Sequence, residues 1–454
     1  MRPGGRGRDV RVEAGPERPE PVAVGSRGGP VRVGVPARRV RAVARRDGRA
    51  AVTRGVGPAV ALAAVEEHGT PEQRAIATRA VLAGGRLTLL LPEAPVGGSD
   101  LEGTAGYVEF APAGPAPSGA SLTARLVVRG AAEDSFLGAP EHGAQVLLDA
   151  LRSGWPLFVS AGIGTADTVL REVVGAAGTA GARPLDSSLT RRAVTAAFLE
   201  LLVVDCLVTT AVRALELAPA QATALSAVAG HLGPRLLREG AEGLVPVLGR
   251  HAHTAYGAFG AIRARLRGLA APSRHGPGSL GVLTALPVRG EHHAAVLPEA
   301  VHAPDGPPAP PGVRPVTAPA AWFDPRLPAE GLSGPLGALV RLLAREASVV
   351  RAEFAGARAS GSAPALRAAA DRYALLHAAA CCLGVARNAP PGFLADPAWL
   401  TAALARIARR LALPPAPVSR RWDDTVLQEA LTRYRDGTTL DLYASPLSGA
   451  GRRP

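Results

Sequence analysis

Apolar positions along the 454-residue chain change period twice. From residue 31 to 86 they recur every three or four residues. The runs RRVRAVARRDGRAAVTRG and VALAAVEEHGTPEQRAIATRAVLAGG predict helices. Residues 87–150 then read as strands. Leu87–Leu91 is almost wholly apolar, Gly106–Phe110 is short, and Ser121–Arg129 alternates apolar with polar around a turn-rich APAGPAPSGA loop. The helical period returns near Gly154. Thr190–Leu217, Ala218–Leu248 and Ala255–Leu269 follow, and four helices of this length and polarity predict an antiparallel bundle. Residues 291–330 are Pro-rich and read as a linker. Residues 331–454 form a further helical module, with long runs at Leu336–Ala355 and Ala365–Val385; Pro364 stands where a helix start tolerates it.

The expected fold class is therefore α+β, mainly α. A helical segment (31–86) precedes a short β segment (87–150), a bundle (151–290), the linker and the last module. Residues 1–30 carry Gly, Pro and Arg without period and read as a disordered basic arm. No apolar stretch runs the ~20 residues needed to span a bilayer; Leu199–Val212 comes closest and suits a buried bundle helix.

Composition changes the picture in two places. The chain has no Lys, one Asn (Asn388) and 51 basic residues that are all Arg, a skew a GC-rich genome would produce. The net charge of +13 sits mainly in residues 1–54, where 14 Arg face 5 acids. That arm lacks interleaved aromatics and the chain has no nucleic-acid motif, which argues against a nucleic-acid partner. Three cysteines, Cys206, Cys381 and Cys382, make no disulfide framework and read as reduced, cytoplasmic thiols.

The most informative stretch is His68–Asp100. A helix opening Gly69-Thr70-Pro71-Glu72-Gln73 leads through Gly84-Gly85 to a strand, then to a loop holding Glu93, Gly98, Ser99 and Asp100. Backbone N–H groups in such a loop can approach a flat or phosphorylated cofactor closely. This order resembles the acyl-CoA dehydrogenase family over roughly residues 31–290, with Pro92 where the family has Thr and a loop one residue longer. The resemblance implies FAD and α,β-dehydrogenation of an acyl thioester, carried by CoA or an acyl carrier protein. It also implies electron transfer to another flavoprotein and a homo-oligomer built through the bundle. It places Leu91, Glu93, Gly98 and Ser99 against the flavin, and Gly249 against the cofactor of a neighbouring subunit.

The reaction needs a carboxylate to take the α-proton and a flavin to take the β-hydride. After the turn that matches Leu266-Arg267-Gly268, the family's Glu falls on His275 or Gly276. Where the Glu comes from an earlier bundle helix, the equivalent is about Arg235, with Glu239 one turn on and Glu242 beyond. His275 and Glu239 are the candidate bases; a surface-loop His and a solvated helix face are the plainer readings. The flavin-contact segments of the family correspond to Gly178–Ala182, which lacks the Arg and aromatic, and Val245–His251, where Gly249 alone matches cleanly. Two functions stay open: an FAD-dependent acyl-thioester dehydrogenase, and a scaffold or interaction protein that kept the fold and lost the chemistry. His251-x-His253 and His292-His293 lack the companions of a metal site. Gly162-x-Gly164 reads as helix packing rather than a dinucleotide fingerprint.

Overall fold

The computed structural model describes residues 34–82, 86–90, 107–111, 137, 143–270, 276–286, 297–304, 323–414 and 420–447. The chain opens with α1 (Gly34–Arg46), whose buried face, Ala37, Val40 and Ala44, packs on α5 (Gly143–Ala176). Asp47 caps the short α2 (Gly48–Ala50), which passes through a π-helical turn into α3 (Gly57–His68). α4 (Pro71–Leu82) begins with a reciprocal cap. Thr70 N–H donates to Gln73 Oε1 at 2.9 Å, and Gln73 N–H to Thr70 Oγ1 at 3.2 Å. The Gly-Thr-x-x-Gln signature is thus a capping box, and its residue types answer the orphan N–H groups of a helix start.

Strands β1 (Arg86–Leu90) and β2 (Tyr107–Ala111) pair antiparallel, Arg86 opposite Ala111 and Leu90 opposite Tyr107. They are the one sheet among the described residues. The strand expected at Ser121–Arg129 and the arm 1–30 lie outside the described residues. α5 begins at Gly143, inside the stretch read as β, because its apolar period already starts at Val146 and Ala150, both buried.

The bundle core is α5, α6 (Ser188–Leu217) and α7 (Pro219–Leu244), completed by α8 (Gly257–Ala270) and α9 (Gly276–Ala285). Ser187 caps α6 through a 3.1 Å bond from Thr190 N–H. Gly164 touches α1 so closely that a Cβ would lie 2.4 Å from the Arg41 carbonyl oxygen, and Gly162 faces Leu237. The glycine pair is helix packing, as expected. α6 corrects one expectation. Among the described residues it is long and apolar enough to cross a membrane by length and composition, because Glu200 and Asp205 interrupt its sequence without lowering its hydropathy enough. Its most apolar window is 89% buried inside the protein.

α10 (Gly334–Ala359), α11 (Ala363–Asn388), α12 (Pro397–Arg410) and α13 (Arg420–Arg435) make the last module. α11, α12 and α13 all pack on α6. The Pro-rich stretch, expected as a linker, is docked at two places. Phe323 is buried, and its carbonyl accepts from Tyr373 Oη (3.2 Å) and His377 Nε2 (3.3 Å) on α11. Upstream, the 3₁₀ turn Glu299–His302 buries Val301, and Arg213 Nε holds the Ala300 carbonyl at 2.8 Å. His302 lies in a notch that only glycine leaves open: a Cβ on Gly384 would come within 2.4 Å of its ring. Gly384→Ala is therefore expected to expel the ring and destabilise the fold by about 1–3 kcal/mol. Urea titration reads this directly, and an unchanged midpoint would show that the notch has slack.

Candidate functional site

α7 presents His231, Arg235 and Glu239 at four-residue spacing, so the three side chains share one helix face. Three other helices bring partners to it. Asp371 on α11 accepts from His231 Nε2 at 2.6 Å and from Arg235 Nη1 at 3.0 Å. Glu239 stands 4.0 Å from Arg235 and accepts a hydrogen bond from Arg410 of α12. Arg410 also donates to Glu200 Oε1 of α6 at 2.7 Å, and Arg406 donates to the same oxygen at 2.6 Å. The result is a ladder of alternating donors and carboxylates, His231–Asp371–Arg235–Glu239–Arg410–Glu200–Arg406, that ties the last module to the bundle. The hydrogen bond from His231, with Arg235 beside it, holds Asp371 below the usual carboxylate range despite its burial.

The two ends of the ladder differ. Glu200 is 4% exposed and Glu239 35%. Water screens the Glu239 end, where such pairs contribute at most about 1 kcal/mol. The Glu200 end is buried, and its carboxylate is held by two guanidiniums. A catalytic base needs an oxygen free to reach a substrate carbon and room for that substrate. Glu239 gives an oxygen to Arg410, and the cavity beside Glu200 measures about 10 Å³, lined by Ala197, Leu201, Leu237 and Gly240 among others. That is space for about one water.

Gly249 is well placed and strained in the way glycine allows, at φ +55°. The segment Val245–His251 hydrogen-bonds to the α5–α6 loop: Arg183 N–H to the Val247 carbonyl (2.9 Å) and Arg250 N–H to the Gly181 carbonyl (3.2 Å). A Cβ on Gly249 would lie 2.3 Å from Gly181 O, which accounts for the glycine structurally. The two segments that the resemblance assigns to flavin contact thus meet in space. His275, Leu91, Glu93, Gly98 and Ser99 lie outside the described residues.

Other arrangements are engaged in the same way. Glu67, His68 and Asp149 offer three ligand atoms within 4.8 Å of one another, a spacing a metal could use. Arg152 occupies that position instead, 3.1 Å from Glu67 and 3.6 Å from Asp149. A larger open cleft of about 520 Å³ lies between the Phe393–Ala395 turn and α13. Its carboxylates are also committed: Asp396 caps α12, Asp424 pairs with Arg191 at 2.5 Å, and Glu429 with Arg433 at 2.7 Å. All three cysteines are buried, and burial pushes the Cys381 thiol up to about 12, out of the reactive range.

No protein-family model and no curated protein matches the sequence. The three-dimensional comparison is different. An acyl-CoA dehydrogenase complexed with FAD from Bacillus anthracis matches 87% of this chain and 83% of its own, with a TM-score of 0.53 and 10% identity. The fold is that of the acyl-CoA dehydrogenases. Acyl-CoA oxidase 3 from Yarrowia lipolytica matches 88% of this chain and 76% of its own, with a TM-score of 0.50 and 11% identity.

The described counterparts of the flavin-contact segments engage each other. Gly178–Ala182 and Val245–His251 satisfy each other's backbone groups, and Arg250 lies across the loop so that a Cβ on Gly181 would sit 2.1 Å from its Nε. Sequence reasoning named Glu239 but missed Glu200, Asp371, Arg406 and Arg410. One signal was present: an acid flanked by apolar residues, as Glu200 is in α6, must find a cation when buried.

Proposed function

We propose that this chain is a scaffold or interaction protein built on the acyl-CoA dehydrogenase fold, with its groove closed by ion pairs in place of dehydrogenation chemistry. One observation carries the reading. Arg235 stands at the position from which the resemblance would supply a base, and the nearby carboxylate, Glu239, is engaged by Arg410 and faces Arg235. On this helix the base position is thereby cationic and the nearby carboxylate occupied. The ladder has a structural role instead, because it joins α6, α7, α11 and α12 into one body.

A second reading keeps the enzyme, and the whole-length likeness to a protein complexed with FAD favours it. In that reading Leu91, Glu93, Gly98, Ser99 and Gly249 hold FAD, His275 or Glu239 takes the α-proton of an acyl-CoA or acyl-carrier-protein thioester, and a partner flavoprotein receives the electrons. Such a chain would work as a homo-oligomer through its bundle.

Absorption of the purified full-length protein separates the two. The scaffold reading expects a colourless protein that stays flavin-free after incubation with excess FAD and gel filtration. A tightly retained flavin near one per chain, released on denaturation, would overturn it. His275→Ala would then be expected to slow bleaching of that flavin by acyl-CoA far more than it weakens acyl-CoA binding.

A further inference from the structure

Many arginines in this molecule pair with carboxylates, Arg41, Arg45, Arg235, Arg406 and Arg410 among them, whereas others, such as Arg171, Arg358 and Arg387, donate to main-chain carbonyls. Three arginines of the second kind gather on one face. Arg183 donates to the Pro246 carbonyl (3.2 Å), Arg250 to the Ala180 carbonyl (3.3 Å) and Arg263 to the His253 carbonyl (2.8 Å). Each guanidinium donates to a main-chain oxygen, and none of the three has an ion-pair partner among the described residues. His251 and His253 lie among them; His251 donates to Ala180 O at 2.8 Å and stacks on Phe259 with ring centroids 4.0 Å apart. The acids of adjoining helices are engaged, Glu172 with Arg265 and Glu242 with Arg238. Asp186 is the acid on the α5–α6 loop itself.

Tyr256 follows His253 by three residues and is 87% exposed, the most exposed large hydrophobic side chain among the described residues. Tyr and Arg are the residue types that dominate protein interfaces, Tyr because it offers area at low conformational cost. The backbone beneath is held in place: Gly249 at φ +55° and Gly257 at φ +67° turn the chain, and cross-loop hydrogen bonds fix it. A preorganised cationic face with an aromatic anchor suits an anionic partner that also offers apolar surface. A protein helix rich in carboxylates has both; a nucleic-acid duplex would meet a face with no groove-reading element.

We infer that the surface formed by Arg183, Arg250, His251, His253, Arg263 and Tyr256 is a docking site for a protein partner with an acidic helical surface. This deepens the scaffold reading and rests on it. Flavin retention tests that reading alone, whereas the assay below tests the partner surface alone.

The test is fluorescence anisotropy of the full-length protein with a fluorescein-labelled, Glu-rich helical peptide carrying interspersed Leu. The variant Arg183→Glu/Arg263→Glu is compared with Arg345→Glu/Arg367→Glu, an equal charge change at exposed positions on α10 and α11. The first pair is expected to weaken binding by about tenfold or more, the second by less than about twofold. Tyr256→Ala, which leaves the fold untouched because the ring is exposed, is expected to weaken binding several-fold with the salt dependence unchanged. Equal losses in the two charge-reversed proteins would overturn the inference, since the arm and overall charge would then account for the binding. So would the absence of saturable binding at low ionic strength, or tighter binding of a duplex oligonucleotide lost in the same variants.

Discussion

Replacing Asp205 with alanine is expected to lower the unfolding free energy by about 3–5 kcal/mol, the usual cost of stranding a buried charge. Asp205 sits in the middle of α6, fully buried, 2.5 Å from Arg41 of α1. It also accepts the Leu442 N–H at 2.8 Å and the Thr209 hydroxyl at 3.2 Å. The same cluster contains Arg45, which pairs with Asp167 of α5 and with Asp441, each at 2.5 Å. Asp167 in turn accepts the Leu440 N–H at 3.2 Å. Two guanidiniums and three carboxylates therefore pin α1 and the turn after α13 onto α5 and α6. Burial pushes Asp167 and Asp205 above their ordinary range; for Asp441 burial acts the same way, but Arg41 and Arg45 outweigh it and hold it low. Alanine at 205 removes the closest partner of Arg41 and leaves the Leu442 N–H without an acceptor. Asp205→Asn keeps the shape and part of the hydrogen bonding, so it should lose less. Urea titration with an unchanged m-value is the measurement. A loss below about 1 kcal/mol would mean that water reaches the cluster.

The positions that form this cluster show what a linear reading can and cannot find. Helices α6, α7, α10 and α11 are legible because their apolar periods run for six turns or more, and β1 and β2 because short apolar runs flank a turn-rich stretch. Local chemistry is legible too: Ser187, Thr70 with Gln73, and Pro364 mark helix starts by residue type alone. Pairing across the fold is not. Arg406 and Glu200 are 206 residues apart, Arg45 and Asp441 are 396, and nothing in either neighbourhood names the other. Glu200 and Asp205 stand out within an apolar helix, so the need for partners is visible while their identity is not. The Pro-rich stretch misleads for a related reason. Composition suggests a linker, but Val301, Phe323 and Leu327 are buried, and Gly384 supplies a notch whose fit to His302 depends on tertiary geometry. Glu239 was legible as a candidate from its helix face; its engagement by Arg410 was not.

Acidification from pH 7.5 to about 4.5 is expected to remove about 2.5 kcal/mol of stability through each of two imidazoles, the half-buried His302 and the buried His377. Burial pulls His302 down to about 4 and His377 to about 3, from an ordinary value near 6.5. Each ring has one polar contact, His377 donating to the Phe323 carbonyl and His302 meeting the Thr210 hydroxyl at 3.3 Å. Thr210 spends its own hydroxyl proton on the Cys206 carbonyl at 2.8 Å, so His302 is the donor of that pair. A second proton on either ring would therefore have no acceptor among the described residues. In the unfolded chain both rings take a proton as pH falls through about 6.5, whereas the folded chain refuses it until about 4 or 3. Stability from these groups is complete above about pH 6.5 and declines through the interval below. Asp167 and Asp205 work the other way, because their raised values let the folded state take protons first. The histidine contribution is isolated by difference. His377→Gln keeps a donor toward the Phe323 carbonyl but cannot be charged, and His302→Gln does the same toward Thr210. Each variant should start less stable than the parent near pH 7.5 and gain on it by about 2.5 kcal/mol at pH 4.5. Parallel stability curves for parent and variants across that range would show that both rings titrate normally, and so that water reaches the two straps that hold the Pro-rich stretch to the bundle.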